Sequence, residues 1–135
     1  MLQPKRIQHR KVHRGKAHKT ASRGYYLSFG SFGLQATEPQ WLRSTQLEAA
    51  RRAIAHHIQR GGKLWIRVFP DQPRTQKGAE VGMGGGVGSL SHFITPVESG
   101  RILFEMDGVS ETLAREAFRL AGHKLPVKTR FIKKP

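Results

Sequence analysis

Between Lys77 and Ser89 the chain reads KGAEVGMGGGVGS, and five of the seven residues from Gly82 to Gly88 are glycine. A run of this kind can cradle phosphates with backbone N–H groups, or let a backbone approach a ligand closely. Its register fits neither common nucleotide motif. A P-loop needs glycine, four residues, then Gly-Lys-Ser/Thr, and no glycine of this loop precedes a lysine. The dinucleotide fingerprint needs glycine at its first, third and sixth places. Counted from Gly82 the sixth residue is Val87, and from Gly84 it is Ser89.

The other chemistry-bearing residue types form no catalytic constellation. His9 and His13 are four apart and would share a face if helical, but the surrounding segment supplies no carboxylate or thiol as a third metal ligand. Cysteine is absent, which removes disulfides and cysteine-based zinc sites. Glu105 and Asp107 alternate on one apparent strand and so share a face. A paired-carboxylate site is conceivable there, yet in so basic a chain a salt bridge to Arg or Lys is the simpler reading. No serine has a His and acid context. No enzyme activity, cofactor or metal is expected.

Charge is the outlying property. The 135 residues hold 24 Lys and Arg against 9 Asp and Glu, a formal charge of +15. Such an excess opposes a compact monomer unless a polyanion neutralises it, and nucleic acid is the default polyanion. An anionic membrane surface is the rival, but that usually shows one basic amphipathic helix rather than cations along the whole chain. No apolar run approaches the roughly 18 residues of a membrane span, and the opening MLQPKRIQHRK lacks the apolar core of a secretory signal.

These cations need elements to position them. Residues 1–24 read as a basic arm with Lys5, Arg6, Arg10, Lys11, Arg14, Lys16, Lys19 and Arg23, no acid occurring before Glu38. Few apolar residues there can be buried, so disorder when free and order on a phosphate backbone are both expected. Residues 25–135 read as a single domain. YYLSFGSFGLQAT (25–37) suggests short strands with a turn or bulge at Gly30 and Gly33. Residues 44–60 predict an amphipathic helix with Leu47, Ala50, Ile54 and Ile58 on one face. Ser44 or Thr45 would cap it, Thr45 with Glu48 would form a capping box, and Gly61-Gly62 would stop it. Arg51, Arg52 and Arg60 fall on or near its polar side, toward RNA.

KLWIRVFP (63–70) alternates Leu64, Ile66 and Val68 with Lys63, Trp65 and Arg67, a strand with a basic, aromatic outer face. Trp65 would stack on a base or pack beneath another element. DQPRTQ would open a long loop, with residues 76–90 its glycine-rich part. Ser91–Val97 and Arg101–Gly108 read as a hairpin across ESG, with Pro96 at an edge or strand end. A second helix would be capped by Ser110 and buried through Leu113, Ala114, Ala117, Phe118 and Ala121. A last strand would carry Lys128 and Arg130 opposite Val127 and Phe131. The expected class is α+β: a mostly antiparallel sheet packed against two helices, with an extended basic N-terminal arm and a long glycine-rich loop.

In order and spacing, MLQPKR, SFGSFGLQA, LEAARRAI, GKLWIRVFPDQP and RILFEMDGVSETLAREAFRLAGHKLPVKTRF resemble the L-sixteen family of large-subunit ribosomal proteins, of bacterial or organellar type, over nearly the full length. The resemblance implies a structural ribosomal constituent with an α+β sandwich fold. It implies binding to large-subunit rRNA near the peptidyl transferase region, beside the aminoacyl-tRNA site, with entry late in assembly. Neighbouring large-subunit proteins are implied partners; membrane attachment and homo-oligomers are not. The ribosome of the bacterial cytoplasm, or of an organelle matrix or stroma, is the implied location. Carried over as rRNA contacts are Lys5, Arg6, Arg10, Lys11, Arg14, Arg51, Arg52 and Arg67; charge and position add Lys16, Arg23, Arg60, Lys63, Lys128 and Arg130. Composition alone leaves a free-standing nucleic-acid-binding domain open as an alternative.

The chain departs from the family at the glycine run. Where the family writes RMGKGKG, a basic finger toward tRNA, this sequence has GMGGGVG. Gly82 stands for the arginine, and Gly85 and Val87 stand for the lysines. The tRNA-proximal residues are then Lys77, Gly82, Met83, Gly84, Gly85, Gly86 and Gly88, with Lys77 and Arg74 left as cations at the base.

Overall fold

The computed structural model describes residues 2–7, 9, 11–13, 15, 20–59, 61–78, 82, 84–86 and 88–135. The class is α+β. In chain order come β1 (Phe32–Ala36), β2 (Gln40–Arg43), α1 (Ser44–Ile58), β3 (Lys63–Ile66), β4 (Gln72–Gln76), β5 (Ser89–Val97), β6 (Ile102–Asp107), α2 (Glu111–Gly122) and β7 (Thr129–Lys133). The strands divide between two antiparallel sheets, one ordered β3-β6-β1-β7 and one ordered β2-β5-β4.

The two helices build the core as their periodicity requires. Leu47, Ala50, Ile54 and Ile58 of α1 are buried with Ala114, Ala117, Phe118 and Ala121 of α2. Both stripes join Leu34 of β1 and Phe104 and Met106 of β6 in one apolar cluster. Ser110 caps α2 as expected, its Oγ accepting from the Leu113 N–H at 3.3 Å; such a cap is typically worth about 1 kcal/mol.

The ends of α1 differ from expectation. The helix starts at Ser44, directly after β2, and the Gln46 side chain accepts from the Arg43 N–H at 2.9 Å. The expected Thr45 and Glu48 pair therefore does not form the box, because β2 feeds the helix without a loop and sets its start earlier. At the other end Gln59, not a glycine, takes the left-handed conformation at φ 51°.

Three strand expectations are corrected. Ser89–Val97 and Ile102–Asp107 are not a hairpin: β5 is paired on both edges by β2 and β4, and β6 on both edges by β3 and β1. The short ESG connection turns a corner between sheets. Gln72–Gln76 is a strand rather than the start of a loop, and Gln40–Arg43 is a strand that apolar alternation did not signal. Residues 25–31 form no strand. They cross the outer face of the four-stranded sheet, and the N–H groups of Ser28, Phe29 and Gly30 go to a side chain, Glu105, rather than to a strand. Pro96 does sit near a strand end: β4 pairing stops at Ile94, and only β2, through Trp41, still pairs with β5 at that position.

Candidate nucleic-acid interface

The expected RNA contacts do not converge on one site. Lys63 and Arg67 belong to the β3 side of the four-stranded sheet and Lys128 and Arg130 to the β7 side, the two opposite edges. Arg51 and Arg52 lie on α1. Lys5, Arg6, Lys11 and Arg23 are exposed, and no ion pair among the described residues involves them. Lys63 and Lys128 are likewise exposed outside those pairs. Arg10, Arg14, Lys16, Arg60 and Met83 lie outside the described residues.

Several candidate cations are already committed within the chain. Arg51 and Arg52 both bond Glu48, one turn back on α1, with Arg51 Nε at 3.0 Å and Arg52 Nε at 3.1 Å from its oxygens. The Arg51 hydrogen bond leads in holding the Glu48 carboxyl down at about 2. Arg130 donates to Gln35 Oε1 at 2.7 Å. Arg67 is ion-paired to Glu105.

Glu105 is the centre of that arrangement. It sits on β6 opposite Gly33 of β1 and Trp65 of β3, on the sheet face away from the helices. Residues 24–31 close over it, and the carboxylate is fully buried. Its Oε1 accepts the N–H groups of Ser28, Phe29 and Gly30 at 3.0, 2.8 and 2.9 Å, while Oε2 takes the Arg67 guanidinium. Burial alone would raise its pKa. The Gly30 and Phe29 amides, Arg67 and the Ser28 amide outweigh burial and hold it below the usual carboxylate range. The salt-bridge reading of Glu105 is therefore the one the structure shows. Asp107, two residues on, instead accepts from Ser31 Oγ at 3.0 Å and its neighbour Gly108 N–H at 2.8 Å.

Apart from its pairing with a basic residue, Glu105's role was not legible, since nothing in FEMD signals that three amides from residues 28–30 would converge on it. Phe29 was also missed. Its ring stacks on Trp65 with centroids 5.9 Å apart, and the Arg67 guanidinium lies 5.2 Å from its centre.

The glycine run is the tip of a β4–β5 hairpin. Gln76 and Ser89 are partners, so residues 77–88 connect adjacent antiparallel strands. At its base the two expected cations face inward. Lys77 Nζ bonds the Gly82 and Gly84 carbonyls. Arg74 is buried, 4.4 Å over the Trp41 ring, and donates to the Pro73 carbonyl at 2.8 Å. Across the same sheet Arg43 Nη2 lies 3.0 Å from His92 Nδ1. Burial, then the nearby Arg43 and Arg74 charges, push the His92 pKa down.

Among the described residues no group of His, Asp and Glu is placed to hold a metal ion. No helix among them is long and apolar enough to cross a membrane. The exposed cations lie on several sides of the sandwich, an arrangement suited to phosphate contacts spread over a folded RNA. The family model for ribosomal protein L16p/L10e matches residues 4–132, and the chain belongs to that family, a structural, rRNA-binding component of the large ribosomal subunit.

Proposed function

We propose that this protein binds large-subunit rRNA chiefly through its exposed basic arm, and that its 77–88 hairpin borders tRNA at the aminoacyl site, supporting tRNA positioning and late subunit assembly. The observation that carries this reading is the unequal commitment of the cations. Lys5, Arg6, Lys11 and Arg23 are exposed and outside the ion pairs of the described residues, whereas Arg51 and Arg52 share Glu48 and Arg67 is paired with Glu105. Uncommitted cations displace counterions from RNA phosphates at no cost to the fold.

The hairpin supports a different mode of approach. With glycine at 82 and 85, and Lys77 turned onto its carbonyls, it reaches tRNA by backbone and shape rather than by charge. Titrating the full chain against large-subunit rRNA at several salt concentrations tests the arm. Replacing Lys5, Arg6, Lys11 and Arg23 together by glutamine should weaken binding and flatten the salt slope by roughly 0.7–0.9 for each phosphate no longer neutralised. An unchanged slope would exclude the arm as the main contact. Structures of large subunits with tRNA in the aminoacyl site test the hairpin, and a tip well away from tRNA would refute its role.

A further inference from the structure

Phosphate contacts explain the cations but leave an exposed aromatic surface without a purpose. Tyr25, Tyr26 and Phe29 are 51, 62 and 57% exposed. All three belong to the segment that crosses the outer face of the four-stranded sheet. Phe29 lies stacked on Trp65, and the two tyrosines meet edge to face with centroids 5.2 Å apart.

The exposure of Phe29 is held in place rather than incidental. Its own N–H and those of Ser28 and Gly30 converge on the buried Glu105 carboxylate. Gly30 is pressed against the Met106 backbone, where an added Cβ would lie 2.6 Å from the carbonyl oxygen. The backbone that carries the ring is thereby held from below, with the ring lying over Trp65 on the outer face. A side chain that is apolar, rigidly presented and more than half open is arranged to be covered by something else.

The surroundings identify that something. Trp65 shares its strand face with Lys63, which is exposed, and Arg67 follows on the same alternation. Arg67, its charge matched by Glu105, offers a flat cationic plane at the Phe29 ring rather than a phosphate contact. Aromatic planes beside an exposed cation outside the ion pairs, here Lys63, are an arrangement that receives unpaired bases. We propose that Phe29 and Trp65, with Tyr25 and Tyr26 a few residues before Phe29 on the same crossing segment, form a stacking platform for an unpaired base of the large-subunit rRNA, with Lys63 taking an adjacent phosphate. The inference rests on the rRNA-binding reading and adds a base-directed contact to it.

The test uses the full chain and two RNA probes: a short duplex with one bulged adenine, and the same duplex with an abasic residue at the bulge. Wild type should bind the bulged duplex roughly 5- to 100-fold more tightly than the abasic one, the range expected for one stacked base. Phe29→Leu should abolish that preference while leaving the salt slope unchanged, because every phosphate-binding cation is still in place. Tyr26→Leu should reduce the preference, and its exposed position keeps the test valid if the Phe29 variant unfolds. Equal wild-type affinity for both probes would overturn the platform. So would a preference that survives both substitutions, or variants that bind RNA normally yet fail to enter subunits, which would assign the surface to a protein neighbour. Failure of wild type to bind either duplex, or large-subunit rRNA itself, would instead refute the underlying rRNA reading.

Discussion

Two glycine-bearing segments use the same residue for opposite reasons. In SFGSFG, Gly30 and Gly33 are glycine because the space above their Cα atoms is taken. Met106 backbone lies over Gly30, and the Leu27 side chain lies over Gly33. In GMGGGVG, an added Cβ at Gly82, Gly84, Gly85 or Gly86 would meet no described residue within 4 Å, whereas at Gly88, where the run rejoins the sheet, it would lie 2.5 Å from the Gln76 backbone. The first segment is packed and anchored, and the second is open at Gly82 and at Gly84 to Gly86. Glycine content therefore says nothing about rigidity until the neighbours are known.

The sharpest way to break this contrast is to remove the anchor. Glu105→Gln leaves Arg67 without its countercharge and weakens the acceptor of three amides. Removing one partner of a buried ion pair costs about 3–5 kcal/mol, so a large fall in the chemical denaturation midpoint is expected. A destabilisation below about 1 kcal/mol would mean that segment 28–30 is held by packing alone.

Alanine substitutions separate the two occupants that enforce glycine. Gly30→Ala drives a methyl into Met106 backbone, which cannot move without breaking the β1–β6 ladder. Overpacking of this kind costs about 1–3 kcal/mol. Gly33→Ala meets the far end of the flexible Leu27 side chain and should cost less. Thermal unfolding of the two variants checks the order, and the reverse order would count against the assigned contacts.

Acid should distinguish the segments without any mutation. The Glu105 pKa is lowered in the folded protein from an ordinary value of 4.5. Its contribution is therefore complete above about pH 4.5 and is lost as pH falls through the lowered folded value. Glu48, held at about 2 mainly by Arg51, contributes with the same sign over about pH 4.5 to 2. Of these two carboxylates, only Glu105 bonds the amides of residues 28–30. Amide exchange protection at residues 28–30, corrected for intrinsic rates, should fall with pH in that acid range, and should do so equally in Glu48→Gln. Protection at Gly84 to Gly86 should show no such step.

The sequence made some of this legible and withheld the rest for identifiable reasons. Both helices were readable, because Leu47 to Ile58 and Ala114 to Ala121 repeat at helical spacing and one face must be buried. The strand Ile102–Asp107 was equally plain. Gln72–Gln76 was not, since QPRTQ has no apolar alternation and owes its pairing to β5 alongside. The false hairpin had the same origin: a short ESG link is as compatible with a corner between sheets as with a tight turn, and only the strands on either side decide. For the site, the residue types were legible but their commitments were not. Arg67 and Lys63 look equivalent in KLWIRV, yet one is paired to a carboxylate 38 residues away in sequence and the other faces solvent.

The smallest expected effect is also the most diagnostic of the open segment. No described residue crowds a Cβ at Gly84, and its backbone angle is not left-handed. Gly84→Ala should change stability by no more than about 0.5 kcal/mol; any shift should favour the folded state, because alanine narrows the unfolded ensemble. Gly86, at φ 94°, has the same free space but a backbone angle that alanine resists, so Gly86→Ala should cost about 1–2 kcal/mol. A difference between these two near neighbours would show that the hairpin tip keeps a defined backbone path. Equal, negligible effects would show that glycine there serves only to keep side chains, and with them positive charge, away from the tip.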